Sequence, residues 1–405
     1  MTREGATADL PGSPPEPDRV IDVPGLQALL DRLVARGYTV IGPTVRSGAI
    51  VNAPIRSVEE LPRGWGDEQD AGRYRLRRRE DEALFGFAAG AQSAKPVFFP
   101  AEEVLWRGRR SGEGFEVAAP EAGDGADLPP YALLGVRSCD LSAIGIHDVV
   151  LTGRAHADVA YAARRSAAFV VAVTCSDPSG TCFCASTGTG PRPERGRGAS
   201  YDLSLTELLG GPPGTGTHRF VVEVASDRGA ELLDEIGARA APADDVAAGD
   251  RVAADAAGWM GRHLDTDGLK ELLYDAAESP LWDDVATRCL ACGNCTAVCP
   301  TCFCTTVEDV TDLTGDVAGR DRVWDSCFDA DHSWIHGGTV RASTKARYRQ
   351  WMTHKLASWV DQFGTSGCVG CGRCVTWCPA AIDITAEAAA LRLAAEPADP
   401  TSGGS

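Results

Sequence analysis

The chain has 405 residues, of which 44% are hydrophobic, and it carries 39 basic and 57 acidic side chains. This length provides for about two domains that each bury their own core, so a fold held together by metal alone is excluded. The formal net charge of −18 opposes binding to nucleic acid or to an anionic membrane surface.

No apolar stretch approaches the roughly 18 residues that span a bilayer, so we expect no membrane insertion. The beginning of the sequence also lacks a basic segment followed by an apolar run, which would mark a secretory signal. The sequence therefore predicts a cytoplasmic protein.

Residues 1–19 are rich in Pro, Gly, Asp and Glu and predict a disordered tail. Beyond them, leucines at helical spacing from Leu26 to Leu33 predict a helix. Short apolar or β-branched runs predict strands at 38–45, 131–136, 169–173 and 220–224, and helical patterns lie at 141–151 and 230–236. This alternation predicts an α/β domain over residues 20–265.

The pattern changes near Asp267, where leucines at helical spacing begin and then stop before Pro280. We expect this helix to begin a second domain, which covers residues 266–395. A long insert with several tryptophans and a basic segment divides that domain, and we expect the insert, like the domain, to be mainly α-helical. Residues 396–405 again predict a disordered tail.

Two copies of one cysteine signature lie in this second domain. Each reads C-x2-C-x2-C-x3-C-P, with Cys289, Cys292, Cys295 and Cys299 in the first run and Cys368, Cys371, Cys374 and Cys378 in the second. A cubane iron-sulfur cluster needs four converging thiolates, and a tight loop with a cysteine at every third position supplies three of them. The sequence therefore predicts a ferredoxin-type domain that binds two 4Fe-4S clusters.

The fourth ligand of each cluster must come from elsewhere. In two-cluster ferredoxins the last cysteine of each run ligates the other cluster. We therefore expect one cluster on Cys289, Cys292, Cys295 and Cys378, and the other on Cys299, Cys368, Cys371 and Cys374. The alternative is zinc or disulfides, but zinc knuckles pair two cysteines rather than three plus one, and an intracellular chain keeps its thiols reduced.

Seven of the fifteen cysteines lie outside these runs. Two predicted strands end at Cys139 and Cys175, and the sequence Thr-Cys-Phe-Cys occurs at 181–184 and again at 301–304. Alternate residues of an extended segment project from one face roughly 6.5 Å apart, so their thiolates can share a cluster. We hypothesise a third iron-sulfur centre on Cys175, Cys182 and Cys184, completed by Cys139 or by one of Cys302, Cys304 and Cys327. The alternative is that these thiols pack as small apolar side chains.

Several stretches resemble the β subunit of cytoplasmic NiFe sulfhydrogenases and the related A subunit of anaerobic sulfite reductase, within the 4Fe-4S dicluster proteins. These stretches are 135–141, 181–184, 188–191, 289–304, 324–328 and 367–379. The resemblance implies a subunit that relays electrons between a partner's catalytic centre and a flavoprotein or iron-sulfur partner that binds NAD(P). In such complexes hydrogen is oxidised on a separate subunit.

The same resemblance does not identify the partner subunit. The sequence offers no surplus pair of Cys-x-x-Cys nickel ligands and no sirohaem site, so we expect a partner subunit to act on the substrate. That partner is a hydrogenase subunit or, alternatively, part of an anaerobic sulfite reductase or another oxidoreductase complex. Two rival interpretations are a stand-alone enzyme whose α/β domain binds a small substrate beside Cys139 and Cys175, and a non-catalytic redox sensor.

Overall fold

The computed structural model describes residues 17–112, 114–118, 130–153, 155–210 and 218–395. The predicted tail at 396–405 lies outside these residues, as does the predicted tail at 1–19 apart from its last three positions. The first strand begins at Arg19, so regular structure starts one residue before the predicted boundary.

The N-terminal region is built around an eight-stranded sheet. Its strands and those of two smaller sheets are, in chain order, β1 (Arg19–Asp22), β2 (Thr39–Arg46), β3 (Ala49–Pro54), β4 (Trp65–Asp70), β5 (Arg73–Arg78), β6 (Glu102–Ser111), β7 (Gly114–Ala118), β8 (Tyr131–Arg137), β9 (Phe169–Val173), β10 (Leu203–Leu208), β11 (Arg219–Val224) and β12 (Arg239–Ala240). The large sheet has the order β12-β1-β11-β10-β9-β8-β2-β3. Its strands β10, β9, β8 and β2 are parallel, and the pairs towards both edges are antiparallel. All four predicted strands are confirmed, as β2, β8, β9 and β11.

Helices pack on this sheet and complete the predicted α/β layer. They are α1 (Val23–Ala35), α2 (Lys95–Phe98), α3 (Ser138–Leu151), α4 (Val159–Ala167), α5 (Asp227–Glu235) and α6 (Ala243–Gly258). Helix α1 starts where the carboxylate of Asp22 accepts a hydrogen bond of 2.8 Å from the Gly25 N–H. Its leucines recur three and four residues apart, so all of them face the core; they are Leu26, Leu29, Leu30 and Leu33.

The C-terminal region mixes helices and strands. Its elements are α7 (Leu269–Asp275), α8 (Leu281–Arg288), α9 (Asn294–Ala297), β13 (Thr305–Thr311), β14 (Val317–Trp324), β15 (Trp334–Ile335), β16 (Gly338–Thr339), α10 (Thr344–Thr353), a π-helical segment (His354–Ser358), α11 (Trp359–Phe363), α12 (Arg373–Thr376) and α13 (Ile384–Ala395). The prediction of a mainly α-helical domain needs correction, because the first half of the insert forms two hairpins. Its segment 305–311, rich in Thr and Val, favours a strand.

The two regions share a four-stranded sheet of order β13-β14-β6-β7. Arg107 on β6 forms an ion pair with Asp321 on β14, with Nη2 2.9 Å from Oδ2. The division of the chain between residues 265 and 266 therefore remains a proposal drawn from sequence pattern. No helix in the described ranges is long and apolar enough to cross a membrane.

Candidate iron-sulfur centre

Three cysteines of the first run and two of the second line a common cavity. Cys289, Cys292 and Cys295 surround the start of α9, and Cys378 follows α12; Cys374 also reaches the wall. The rest of the wall is largely apolar and includes Leu290, Phe328, Tyr348, Trp351, Ile382 and Ile384. The structure thus brings together Cys289, Cys292, Cys295 and Cys378, which we call the first set.

Both cysteine runs adopt the same loop. Gly293 and Gly372 have φ angles of 71° and 72° and immediately precede α9 and α12, the short helices that carry Cys295 and Cys374. A positive φ is unfavourable for a residue with a Cβ atom, so glycine is the residue that fits this turn. The turn directs the third cysteine of each run back towards the first two.

Main-chain N–H groups lie close to the sulfur atoms of the first set. The Ala291 N–H donates to Cys289 Sγ at 3.4 Å, and the Ile382 N–H donates to Cys378 Sγ at 3.4 Å. Such hydrogen bonds orient thiolate ligands and stabilise their negative charge. The loops are therefore organised to hold ionised sulfur.

Cys299, Cys368, Cys371 and Cys374 form a second, enclosed group, which we call the second set. Burial raises the pKa of Cys374, and the thiols of Cys368, Cys371 and Cys299 raise it further. Burial likewise raises the pKa of Cys368 to about 12. The Thr301 side chain donates to the Gly367 carbonyl at 2.8 Å, so the segment that carries Cys299 lies against the loop that carries Cys368. A metal cluster would compensate the charge of four such thiolates.

Cys299 lies in polar surroundings. A hydrogen bond with the Cys302 side chain holds the pKa of Cys299 well below its usual value, and the ammonium of Lys355 lowers it further. Lys355 Nζ is 3.2 Å from Cys299 Sγ, and Thr301 Oγ1 is 3.1 Å from the same sulfur. The Lys355 contact favours the thiolate, the form in which cysteine binds metals.

The two sets fit iron-sulfur clusters in their chemistry: four thiols each, main-chain donors at sulfur and a largely apolar enclosure. All fifteen cysteines are free thiols. Within the part of the chain that the structure describes, no three His, Cys, Asp or Glu side chains converge closely enough to hold a single metal ion. A bound 4Fe-4S cluster would supply one-electron redox chemistry at these thiols.

The segment that carries Cys182 and Cys184 packs directly against the second run. The Phe183 N–H donates to the Gly370 carbonyl at 2.8 Å. A Cβ atom on Gly370 would lie 2.6 Å from the Cα of Cys184, and one on Gly372 would lie 2.4 Å from the Thr181 carbonyl oxygen. Glycine is therefore required at both positions by the approach of a second backbone, and segment 181–184 lies beside the second set.

The four residues hypothesised to hold a third centre lie in one neighbourhood. Cys139 and Cys184 pack with Cys371 in one apolar cluster. Burial raises the pKa of Cys184, and the Cys175 thiol raises it further. Cys175 Sγ is also 3.7 Å from Arg137 Nη1. The third centre remains a hypothesis, and Cys139 and Cys184 lie next to Cys371 of the second set.

The other surplus cysteines lie at the base of the β13–β14 hairpin. The Asp325 N–H donates to the Cys304 carbonyl at 2.9 Å, which extends the ladder by one residue. Burial raises the pKa of Cys327 to about 12, with a further contribution from Cys304. Cys302 contacts Cys299, so this group adjoins the second set from the hairpin side.

A second cavity lies at the carboxyl end of β8. Its wall includes Arg137, Asp140 and Arg373, but neither Cys139 nor Cys175 belongs to it. The strand ends thus form a crevice, as expected for an α/β sheet. The two strand-end thiols are not the groups that line it.

Sequence reasoning did not find the buried charges around the second set. Lys95 and Lys355 are each 5% exposed, and Arg373 is 1% exposed. Charged side chains are rarely buried without a partner, so such residues mark either an ion pair or a bound anion. Only their positions in the sequence could have indicated that these charges are buried. Arg373 lies inside the second cysteine run, and Lys355 precedes the apolar pair Leu356 and Ala357.

An α/β region joined to paired ferredoxin loops defines an iron-sulfur protein of the dicluster class. Residues 288–382 match the family model of a 4Fe-4S dicluster domain. Over 334 residues the chain is 31% identical to the sulfhydrogenase 2 subunit beta of Pyrococcus furiosus, a match that covers 80% of this chain and 91% of that protein. The chain belongs to the sulfhydrogenase β-subunit family, which confirms the resemblance seen in its motifs.

Proposed function

We propose that the chain is the iron-sulfur electron-transfer subunit of a hydrogenase-type complex, in which it relays electrons between a catalytic subunit and a flavoprotein or NAD(P)-linked partner. One observation carries the proposal: Cys378 of the second run joins Cys289, Cys292 and Cys295 in a single cavity. A largely apolar cavity lined by these four cysteines and by Cys374 suits a group that exchanges electrons. The similarity to a sulfhydrogenase subunit supports the same assignment.

Two 4Fe-4S clusters are proposed, one on the first set and one on the second. Helices α9 and α12 pack against each other, and the side-chain amide of Asn294 donates to the Trp377 carbonyl, so the two runs are held together. Because each run contributes to both sets, the clusters would be neighbours. Short separation is the geometric requirement for fast electron transfer between them.

The residues around the two sets have different roles. Cys292 is exposed, whereas Trp351 and Tyr348 are buried and exclude water from the inner wall of the first cavity. The first set therefore offers an edge where electrons enter from or leave to a partner. The second set lies deeper, beside segment 181–184 of the α/β region.

A third iron-sulfur centre on Cys139, Cys175, Cys182 and Cys184 is retained as a proposal, supported by their shared position beside Cys371. It would extend the relay into the α/β region. The alternative partner, an anaerobic sulfite reductase or another oxidoreductase complex, is compatible with the same relay, because the site concerns the carrier and not the terminal acceptor.

The test is anaerobic expression, followed by iron and sulfide analysis and EPR spectroscopy of the reduced protein. About eight irons per chain with two interacting 4Fe-4S signals is the expected result, and about twelve would support the third centre. Four irons or fewer in fully reconstituted protein would contradict the proposal. Co-purification from the source organism then identifies the partner: nickel with a flavoprotein supports a hydrogenase, and sirohaem supports a sulfite reductase.

A further inference from the structure

The chain contains only four lysines among 39 basic residues, and two of them, Lys95 and Lys355, are buried. Lys95 Nζ lies over the Trp324 ring, 3.5 Å from its centroid. Lys355 Nζ instead lies 3.2 Å from Cys299 Sγ and 3.0 Å from Thr301 Oγ1. A buried ammonium thus touches the sulfur through which the first run contributes to the second set.

The backbone around Lys355 fixes this ammonium in place. Lys355 lies in the π-helical segment His354–Ser358, a conformation that often marks a functional position. Its carbonyl accepts a hydrogen bond of 2.7 Å from the Gly367 N–H, immediately before Cys368. One residue therefore contacts Cys299 through its side chain and the Cys368 loop through its backbone.

The hydrogen bonds direct the ammonium at sulfur. The Thr301 hydroxyl donates its single proton to the Gly367 carbonyl at 2.8 Å, so its oxygen accepts from Lys355. Among the residues that the structure describes, no carboxylate forms an ion pair with Lys355. The thiolate of Cys299 is therefore the anionic partner of this charge.

Among the described residues, no other lysine or arginine side chain donates a hydrogen bond to a sulfur of either set, although the buried Lys95 lies near Cys299 and Cys302. Arg373, which adjoins Cys371 and Cys374 in sequence, is neutralised by its ion pair with Asp140. The wall of the first cavity, formed entirely by described residues, contains neither lysine nor arginine. Lys355 therefore contacts a sulfur of the second set directly, whereas its charge acts on Cys295 of the first set without a hydrogen bond.

We propose that Lys355 is a positioning residue that raises the reduction potential of the cluster on the second set above that of the cluster on the first set. Reduction adds one electron and no proton to this site, and the ammonium stabilises the added negative charge through Cys299. Electrons entering at the exposed first set would then move inward. This inference rests on the proposed dicluster relay.

The test compares Lys355→Met with Lys345→Met in reconstituted full-length protein. Lys345 lies on α10 and pairs with Asp283 at 2.8 Å, so the control removes an equal charge that touches no cysteine. EPR-monitored redox titration should show one midpoint in Lys355→Met shifted to lower potential by at least about 59 mV, a tenfold change in the equilibrium for electron exchange between the clusters. The other midpoint should shift much less, because Lys355 acts on Cys295 of the first set without a hydrogen bond, and both midpoints of Lys345→Met should stay at the wild-type values.

Unchanged midpoints in Lys355→Met with both clusters present, or an equal shift of both, would overturn the role of Lys355. If this variant loses a cluster, the contact between Lys355 and the cluster is tested instead in wild-type protein labelled with ¹⁵N-lysine. Pulsed EPR at partial reduction should detect one coupled lysine nitrogen, and its absence would also overturn the inference. A wild-type chain without two clusters would instead remove the proposed function on which the inference rests.

Discussion

Arg373 and Asp140 form a buried ion pair that joins the second cysteine run to helix α3. Arg373 Nη1 is 2.8 Å from Asp140 Oδ1, and Nη2 donates to Oδ2 at 2.9 Å. The same guanidinium donates to the Gly90 carbonyl at 2.7 Å and to the Gln92 carbonyl at 3.1 Å. The loop that carries Cys371 and Cys374 is thus held by groups from the other half of the chain.

We expect Asp140→Asn to lower the free energy of unfolding by about 3–5 kcal/mol, because it leaves the Arg373 charge buried without a counter-charge. Chemical denaturation of cluster-loaded protein, followed by circular dichroism, measures this loss. The control is Asp361→Asn, which removes the exposed ion pair with Lys270 at 3.0 Å and should change stability far less. Equal losses in the two variants would mean that the buried pair does not anchor the loop.

Gly370→Ala should reduce bound iron by about half, because one of two clusters depends on this loop. The added Cβ would lie 2.6 Å from the Cα of Cys184, so the loop or segment 181–184 must move. Gly364→Ala is the matched control. Gly370 and Gly364 have φ angles of 60° and 73°, which are both unfavourable for alanine, but nothing lies within 4 Å of a Cβ atom added to Gly364. Iron analysis per chain distinguishes the two, and full iron content in Gly370→Ala would show that the contact is dispensable.

The parts of this fold that sequence predicts are those with a local pattern. The four strands 38–45, 131–136, 169–173 and 220–224 appear because buried apolar runs have strand length. The first set of thiols could be grouped from the spacing of Cys289 to Cys295 together with the crossed position of Cys378, since short loops have few conformations.

The parts that sequence does not predict depend on distant partners. Pairing of β6 with β14 joins Arg107 to Asp321 across more than 200 positions, so no local period reveals it. The burial of Lys355 is likewise a product of tertiary packing, because its own segment reads as a basic helix. The tryptophans and the basic stretch of the insert suggested helix, so its strands were not predicted. Strand β13 is stabilised by its pairing with β14, which no local pattern shows.

Crossed ligation predicts which single-cysteine variants share a phenotype. Cys299→Ala should lose the same EPR signal as Cys371→Ala, although the two residues belong to different runs, whereas Cys295→Ala should match Cys378→Ala. The reason is that each set draws its fourth thiol from the other run. EPR spectra of the four reduced variants, each normalised to protein, provide the comparison. Pairing of phenotypes by run, with Cys299→Ala matching Cys295→Ala, would contradict the proposed sets.

Acid stability should depend on His147, which is 1% exposed and packs between Phe99 and Tyr161. Burial, with the nearby Lys95 charge, lowers the pKa of His147 from 6.5 to about 4. Below pH 6.5 the imidazole of His147 is protonated in the unfolded chain but stays neutral in the folded chain down to about pH 4. The free energy of unfolding therefore falls as the pH is lowered from 6.5 to 4. The loss from this residue between pH 8 and pH 5.5 is about 1.4 kcal/mol.

Chemical denaturation gives the free energy of unfolding of wild type and of His147→Leu at pH 8 and at pH 5.5. The change between the two pH values is then compared between the two proteins, so that a packing defect of the variant, which is present at both pH values, cancels. We expect the variant to lose less stability on acidification by about 1.4 kcal/mol. The exposed His156 gives the control, because His156→Leu removes an imidazole from the surface and leaves the core unchanged. If His147→Leu and wild type lose the same amount, His147 is not the group that limits acid stability.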